Sequence, residues 1–317
     1  MNTASRLSVI VQAARLEARH ILSLELQQSD GTPLPAVEPG AHVGLHLSED
    51  LVRSYSVLNA NASGSRYVIA VLNDKNSSGG SRYVHEQLRV GQSLSISRPR
   101  NHFPLNASAS NSVLVAGGIG ITPILSMHRR LRTLRQPAFL LYCARSRGDA
   151  AFCDELAAHA DVQFHFDDKR GGPPDLKTFL ATQPDDSDFY CCGPLAMIDA
   201  FEAASSSLGL KNVHIERFTA KGMFDGPQKG SYQVVLARDG RTLDVPGGTA
   251  LLDVLEEAGL DVDHACREGI CGACETKVIE GVPDHRDSLL SDTERGSAKT
   301  MLVCVSGCIG SRLVLDL

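Results

Sequence analysis

The sequence predicts three modules in series: an antiparallel β-barrel, a doubly wound α/β layer and a small α+β domain of β-grasp plan. Three observations carry this prediction. Residues 1–105 hold short β-like runs broken by turn residues, residues 106–225 alternate strand and helix patterns, and residues 226–317 hold a hairpin, an amphipathic helix and clustered cysteines. A length of 317 residues suits two to three domains, and a hydrophobic share of 43% supplies their cores. There is no run of about 18 apolar residues, so no membrane span is expected. Met1-Asn2-Thr3-Ala4-Ser5-Arg6 has no apolar stretch, so no secretory signal is expected either.

In the first module the runs 22–26, 42–47, 67–72 and 94–97 read as strands. Turn signals separate them at Asp30-Gly31-Thr32-Pro33, Glu38-Pro39-Gly40, Ser63-Gly64 and Val90-Gly91. Arg53-Ser54-Tyr55-Ser56 lies on a predicted strand. Alternation puts Arg53 and Tyr55 on one face and Ser54 and Ser56 on the other. Gly79-Gly80-Ser81 opens a predicted short helix through Arg89, and the first N–H groups with the Ser81 hydroxyl make an anion site. Taken singly, each motif has a plain reading as a chance tetrapeptide or a loop.

The second module opens with an apolar run at 113–116 and then Gly117-Gly118-Ile119-Gly120-Ile121-Thr122-Pro123. A helix is predicted over 124–134, with Thr122 as N-cap and Pro123 at the first helical position. A strand, a glycine-rich turn and a helix N-terminus together cradle a pyrophosphate. Pro123 stands where the third glycine of G-x-G-x-x-G would be. The alternation continues with strands at 139–144, 162–166, 188–192 and 213–216 and helices at 150–158, 176–181 and 195–208. Five such strands imply a parallel sheet with its ligand at the strands' C-terminal ends. Arg145-Ser146-Arg147, Cys191-Cys192-Gly193-Pro194 and Glu216-Arg217-Phe218 fall at those ends. Cys192 also reads as a small core hydrophobe, and Phe218 as plain packing.

In the third module a linker at 219–230 leads to a hairpin, 232–237 and 241–245, about Asp239-Gly240. A helix at 250–257 is entered near Thr249, followed by a strand at 275–279, a helical stretch at 291–295 and a return strand bearing Cys304. Cys266, Cys271, Cys274 and Cys304 stand at C-x4-C-x2-C…C, the spacing of plant-type [2Fe–2S] sites. Two irons bridged by sulfides need four thiolates, and a short loop with Gly269 and Gly272 can wrap the core and aim N–H groups at sulfur. Zinc or a disulfide loop is the other reading. Cys143, Cys153, Cys191, Cys192 and Cys308 show no disulfide framework, so a reducing cytoplasm is expected and Cys308 reads as a free thiol. Residues 1–225 balance 22 Lys and Arg against 22 Asp and Glu. Residues 226–317 carry 9 against 15, the whole net charge of −6. That is either a solvated acidic surface or a docking face for a basic rim on an electron acceptor, and it argues against nucleic acid.

The paired R-x-Y-S and Gly-Gly-Ser motifs, the variant glycine turn and the Cys-Gly-Pro turn resemble those of the ferredoxin–NADP reductase superfamily. With the cysteine loop, in this order, the whole chain resembles the phthalate dioxygenase reductase and vanillate O-demethylase reductase family. The resemblance implies FMN held by Arg53, Ser54, Tyr55, Ser56, Gly79, Gly80 and Ser81, with Arg53 meeting phosphate or ring oxygen, Tyr55 on the ring and Ser56 at N5. It implies NADH held by Gly117, Gly118, Gly120, Thr122, Pro123, Arg145, Cys192, Gly193, Pro194 and Phe218, with Ser56 and Cys192 at the point of hydride transfer. NADPH is the rival donor, because Arg145-Ser146-Arg147 could meet a 2′-phosphate. The cluster falls to Cys266, Cys271, Cys274 and Cys304, and the domains to 1–105 (FMN), 106–225 (NAD) and 226–317 (ferredoxin). The implied function is an NADH-dependent reductase component feeding a Rieske-type oxygenase, with no membrane or nucleic-acid partner. A diaphorase serving a cytochrome P450 or other haem acceptor, and a non-enzymatic redox sensor, stand as alternatives.

Overall fold

The computed structural model describes residues 6–48, 51–60, 64–75, 77, 79–220 and 226–317. The chain forms two compact units, Ser5–Phe218 and Thr219–Leu317. Part of the predicted linker, 221–225, lies outside the described residues.

The first unit begins with β1 (Arg6–Ala18), β2 (Ile21–Gln28), β3 (His42–Ser48), β4 (Leu51–Ser56), β5 (Tyr67–Leu72), helix α1 (Gly80–Glu86) and β6 (Ser93–Ser97). The strands pair antiparallel in the order β4-β3-β6-β1-β2-β5. The outer strands then meet through the Val57–Ile69 bridge and the Leu58 N–H donating to Val68 O at 2.8 Å, which closes the sheet into a barrel. Alternate residues Val9, Val11, Leu24, Leu26, Val43, Leu45 and Ile69 fill the interior. Helix α1 ends at Glu86, short of the expected Arg89. There the Leu88 N–H donates to Tyr83 O at 3.1 Å, and the Arg89 guanidinium donates to the carbonyls of Glu86 and Leu88 left open at the helix end.

The chain continues as β7 (Ser112–Gly117), α2 (Ile121–Leu134), β8 (Ala138–Ala144), α3 (Cys153–Leu156), β9 (Val162–Phe166), α4 (Asp167–Arg170), α5 (Leu176–Leu180), β10 (Asp188–Cys192), α6 (Leu195–Leu208) and β11 (Val213–Glu216). Five parallel strands run in the order β11-β10-β7-β8-β9, and every residue of β7 and β10 is buried. Buried on both faces, these strands read as continuous apolar runs rather than alternating ones. Two expectations are corrected here. The helix expected over 150–158 shrinks to α3, because Phe152 adopts a left-handed φ of 61° that breaks the helical path. Thr122 is not the N-cap. A 3-10 turn at Gly118–Gly120 winds straight into α2, so the helix begins at Ile121 and Pro123 is its third residue. Thr122 is buried, and its hydroxyl donates back to Ile119 O at 3.0 Å.

Barrel and α/β layer share one core, in which Ile21, Leu58, Ala70 and Phe103 pack with Leu114, Ile124, Tyr142 and Tyr190. The segment joining them is pinned at Asn106. Its N–H donates to the Tyr190 hydroxyl and its side-chain amide to Asp188, each at 2.9 Å.

The second unit holds β12 (Tyr232–Leu236), β13 (Thr242–Val245), α7 (Leu251–Glu257), β14 (Glu275–Asp284), α8 (Asp292–Ser297), β15 (Thr300–Leu302) and β16 (Gly307–Leu315). The sheet order is β13-β12-β16-β14-β15, with β12 and β16 parallel and the other pairs antiparallel. This is the expected β-grasp, with Leu251, Leu252 and Leu255 of α7 buried against the sheet. Cys304, expected on a strand, lies instead in the turn between β15 and β16, closed by the N–H groups of Val305 and Ser306 donating to Leu302 O. Cys308 is on β16 and buried. The side chain of Gln228 pairs with it as a strand would, accepting from Cys308 N at 2.6 Å and donating to Cys308 O at 2.9 Å. No helix among the described residues is long and apolar enough to cross a membrane.

Helix α8 begins with a full capping box, in which Ser291 accepts from the Glu294 N–H and Glu294 accepts from the Ser291 N–H. Ser291→Ala should therefore cost the second unit about 1 kcal/mol. Urea unfolding followed by a probe in that unit measures this, and the first unit's transition should not move.

Candidate functional site

Three separate sets of side chains each gather at strand ends or turns. The first joins the two motifs of the barrel. Arg53, Ser54, Tyr55 and Ser56 lie on β4, while Gly79 and Gly80 enter α1. Gly79 has a φ of 104°, which strongly favours glycine. A Cβ added at Gly80 would sit 2.4 Å from Arg53 Cγ, so the arginine's stem crosses directly over the helix entrance. Burial pushes the Tyr55 phenol up to about 12, against the pull of Arg53. Ser56 is buried and its hydroxyl has no hydrogen-bond partner. Ser81 accepts from Asp74 N at 3.2 Å, tying the preceding loop to the helix. An orphaned hydroxyl, an aromatic wall and a guanidinium over a glycine-lined helix entrance fit a flavin mononucleotide.

The second set lies where β7 and β10 run side by side, with Ala116 opposite Cys192. The glycine turn after β7 and the Cys192-Gly193-Pro194 turn after β10 touch. A Cβ at Gly117 would sit 2.4 Å from Met197 Sδ, and one at Gly120 would sit 2.2 Å from Cys192 O. Gly118 is different, with a φ of 53° and open space where a side chain would project. Two glycines thus serve the packing of the two turns, and Gly118 leaves backbone open to a ligand. Cys192 is fully buried, and burial followed by the nearby Glu216 holds its thiol well above the usual range. It is a neutral wall, not a thiolate.

Sequence reasoning did not single out Glu216. It lies opposite Cys192 at the end of β11, and burial pushes its carboxyl up to about 8. Its Oε2 has no partner. Arg217 turns to the opposite side and pairs with Glu202 at 2.6 Å. Alternation along β11 was the only sequence signal for Glu216. Phe218 follows, 39% exposed, as an aromatic that a ring system could use. Arg145 is exposed after β8. Beyond it Ser146 donates to Asp149 at 2.6 Å, and Asp149 faces Arg19 at 3.6 Å.

The third set is the cysteine loop. The Cys266 thiol is held low by hydrogen bonds with Cys271 and then Cys304, and the same contacts hold the Cys271 and Cys304 thiols high. Cys304 also meets Cys274, so the four sulfurs face one another. Arg267, Gly269 and Gly272 all take positive φ, and the Glu268 N–H donates to Cys266 Sγ at 3.3 Å. Arg267 also bridges to α7, donating to Asp253 at 2.7 Å and Glu256 at 2.6 Å. Four facing thiols with amides aimed at sulfur are the donor set a [2Fe–2S] cluster needs.

The 2Fe-2S iron-sulfur cluster binding domain model matches residues 234–307. Phenoxybenzoate dioxygenase subunit beta of Ectopseudomonas oleovorans is 44% identical over 99% of this chain and 98% of its own length. Phthalate dioxygenase reductase, whose solved structure is described as modular for electron transfer from pyridine nucleotides to [2Fe–2S], is 36% identical with a TM-score of 0.72 over 98% of both chains. The chain belongs to the phthalate dioxygenase reductase family. It is also 35% identical, with a TM-score of 0.90, to part of an intact type IV self-sufficient cytochrome P450 monooxygenase, covering 98% of this chain and 41% of that one.

As in that family, the cofactors are FMN and a [2Fe–2S] cluster, and the donor is NADH. Two predictions follow from this reductase's nucleotide side. Gly120→Ala drives a Cβ into the Cys192 carbonyl, so steady-state kinetics should show KM for NADH raised about tenfold, ~1.4 kcal/mol. Gly118→Ala meets no protein atom, but it puts a methyl into the open space beside that backbone and adds left-handed strain on the order of 1 kcal/mol, so KM for NADH should rise there as well. The second concerns Glu216, whose carboxyl is shifted from an ordinary 4.5 to about 8. Between those values the folded chain keeps a proton that the unfolded chain loses, so stability falls as pH rises through that window. Glu216→Gln cannot ionise and should gain on the parent progressively from pH 4.5 to about 8, read as urea midpoints. A constant difference across that window would contradict a buried acid.

Proposed function

We propose that this chain is the NADH-dependent reductase component of a two-component Rieske oxygenase of the aromatic-acid dioxygenase or O-demethylase type. Electrons pass from NADH by way of FMN and the [2Fe–2S] cluster to the oxygenase. One observation carries the reading: a flavin pocket, a nucleotide cradle and a quartet of facing thiols occur in one chain and match relatives over its full length. We assign residues 1–105 to FMN, 106–225 to NADH and 226–317 to the cluster.

When bound, FMN accepts a hydride from NADH and the cluster carries electrons onward one at a time. The chain's own residues bind and orient. Arg53 and the backbone at Gly79, Gly80 and Ser81 hold the flavin phosphate, Tyr55 walls the ring, and the free Ser56 hydroxyl hydrogen-bonds N5. Ser54 lies beside them on β4. The turn from Gly117 to Thr122 and Pro123, with Gly118 at its open point, holds the NADH pyrophosphate. Arg145 meets the adenosine end, while Cys192, Gly193 and Pro194 shape a dry nicotinamide pocket that Phe218 covers. Positioning of this kind is what hydride transfer requires.

Residues 226–317 carry the whole net charge of −6 and offer a basic-rimmed oxygenase an acidic face. The five cysteines outside the cluster quartet, all buried and none in a disulfide, support a reducing cytoplasm. The match to a P450 monooxygenase favours a second reading, a diaphorase with a haem acceptor. Reconstitution decides between them: turnover with a Rieske oxygenase and none with a haem partner is expected, and the reverse would overturn the proposal. NADH turnover with ferricyanide excludes a purely sensory role. Cys304→Ser should keep NADH-dependent bleaching of the flavin yet abolish electron delivery to the oxygenase. Unchanged delivery would contradict the assignment of Cys304.

A further inference from the structure

Behind the cysteine loop lies a buried carboxylate that no part of the electron path explains. The Asp287 side chain is fully buried. Burying a charge costs heavily unless something holds it in place. Its Oδ1 accepts from the N–H groups of Leu289 at 3.0 Å and Leu290 at 2.7 Å. Its Oδ2 has no hydrogen-bond partner. Two cationic or potentially cationic groups face it: Arg295 Nη2 at 3.6 Å from Oδ1, and His285 Nδ1 at 3.6 Å from Oδ2. Arg295 also donates to Asp287 O at 2.6 Å.

This carboxylate packs directly on the cluster loop. A Cβ built on Gly269, midway between Cys266 and Cys271, would sit 2.9 Å from Asp287 Cα and 2.7 Å from Val305 Cγ2. The Ser288 N–H donates to Gly269 O at 2.9 Å, and the Arg286 N–H reaches Ser306 Oγ at 3.3 Å. The segment from His285 to Leu290 is therefore wedged between the loop bearing three ligands and the turn bearing Cys304. A negative charge held there, out of water, opposes the arrival of an electron, and Arg295 partly offsets it.

We propose that Asp287 and Arg295 form an opposed charge pair that sets the reduction potential of the cluster, with Asp287 as the positioning residue that also locks Gly269. The inference rests on the cluster reading above. Asp287 lowers the potential and Arg295 raises it.

The test is spectroelectrochemical titration of the cluster in the purified, cluster-loaded full chain, with electron paramagnetic resonance as a check on cluster type. Asp287→Asn keeps an oxygen for both backbone N–H groups while removing the charge. It should move the potential upward by about 59 mV, a tenfold change in a one-electron equilibrium. Arg295→Gln should move it downward. Opposite shifts from opposite charges would not arise from loosened packing. If Asp287→Asn fails to load a cluster, Arg295→Gln, on a part-exposed helix, decides alone: a downward shift supports the pair, and no shift or an upward one overturns it. Potentials unchanged in both variants also overturn it. Parent protein lacking iron–sulfur absorbance would instead sink the cluster reading itself.

Discussion

The first unit depends on one close approach, that of the glycine turn after β7 to the Cys192-Gly193-Pro194 turn after β10. Any side chain at Gly117 or Gly120 would strike Met197 or the Cys192 carbonyl. Because those turns touch, the C-terminal ends of the two central strands make a single floor rather than two separate loops. Cys192 beneath it is fully buried and Glu216 beside it is half-buried with Oε2 out of solvent, and desolvation raises the pKa of both side chains.

In the second unit the constraint is the wrapping of a compact inorganic core by a short loop. Three positive φ values within Arg267–Gly272 bend the backbone so that amides face sulfur. Such a bend is stored strain, and Arg267 is not a glycine. The loop is held from three directions, by Arg267 on α7, by Asp287 against Gly269 and by the turn carrying Cys304. The same contacts that hold the shape place charge near the cluster, so geometry and potential are set together.

Much of this was legible in the residues. The strands at Tyr67–Leu72, Val162–Phe166, Asp188–Cys192 and Val213–Glu216 and the helix at Leu195–Leu208 stand where hydrophobic periodicity places them. The start of α2, the length of α3 and the place of Cys304 were not legible. A 3-10 turn running into a helix carries no signature beyond glycines that also serve packing. A left-handed Phe152 has no local cause in the sequence, and Cys304 lies in a turn with no glycine or proline of its own.

The sequence by itself determined the chemistry, because four thiols at that spacing and two glycine-rich turns at helix entrances are properties of residue type and order. Only the tertiary structure decided which glycines face open space and which face protein, that Arg53 crosses Gly80, that the Glu216 carboxyl is desolvated and that Asp287 is a buried acid. Those are facts about distance between segments far apart in the chain. No local pattern encodes a carboxylate's loss of water, because that loss is imposed by the elements that fold over it.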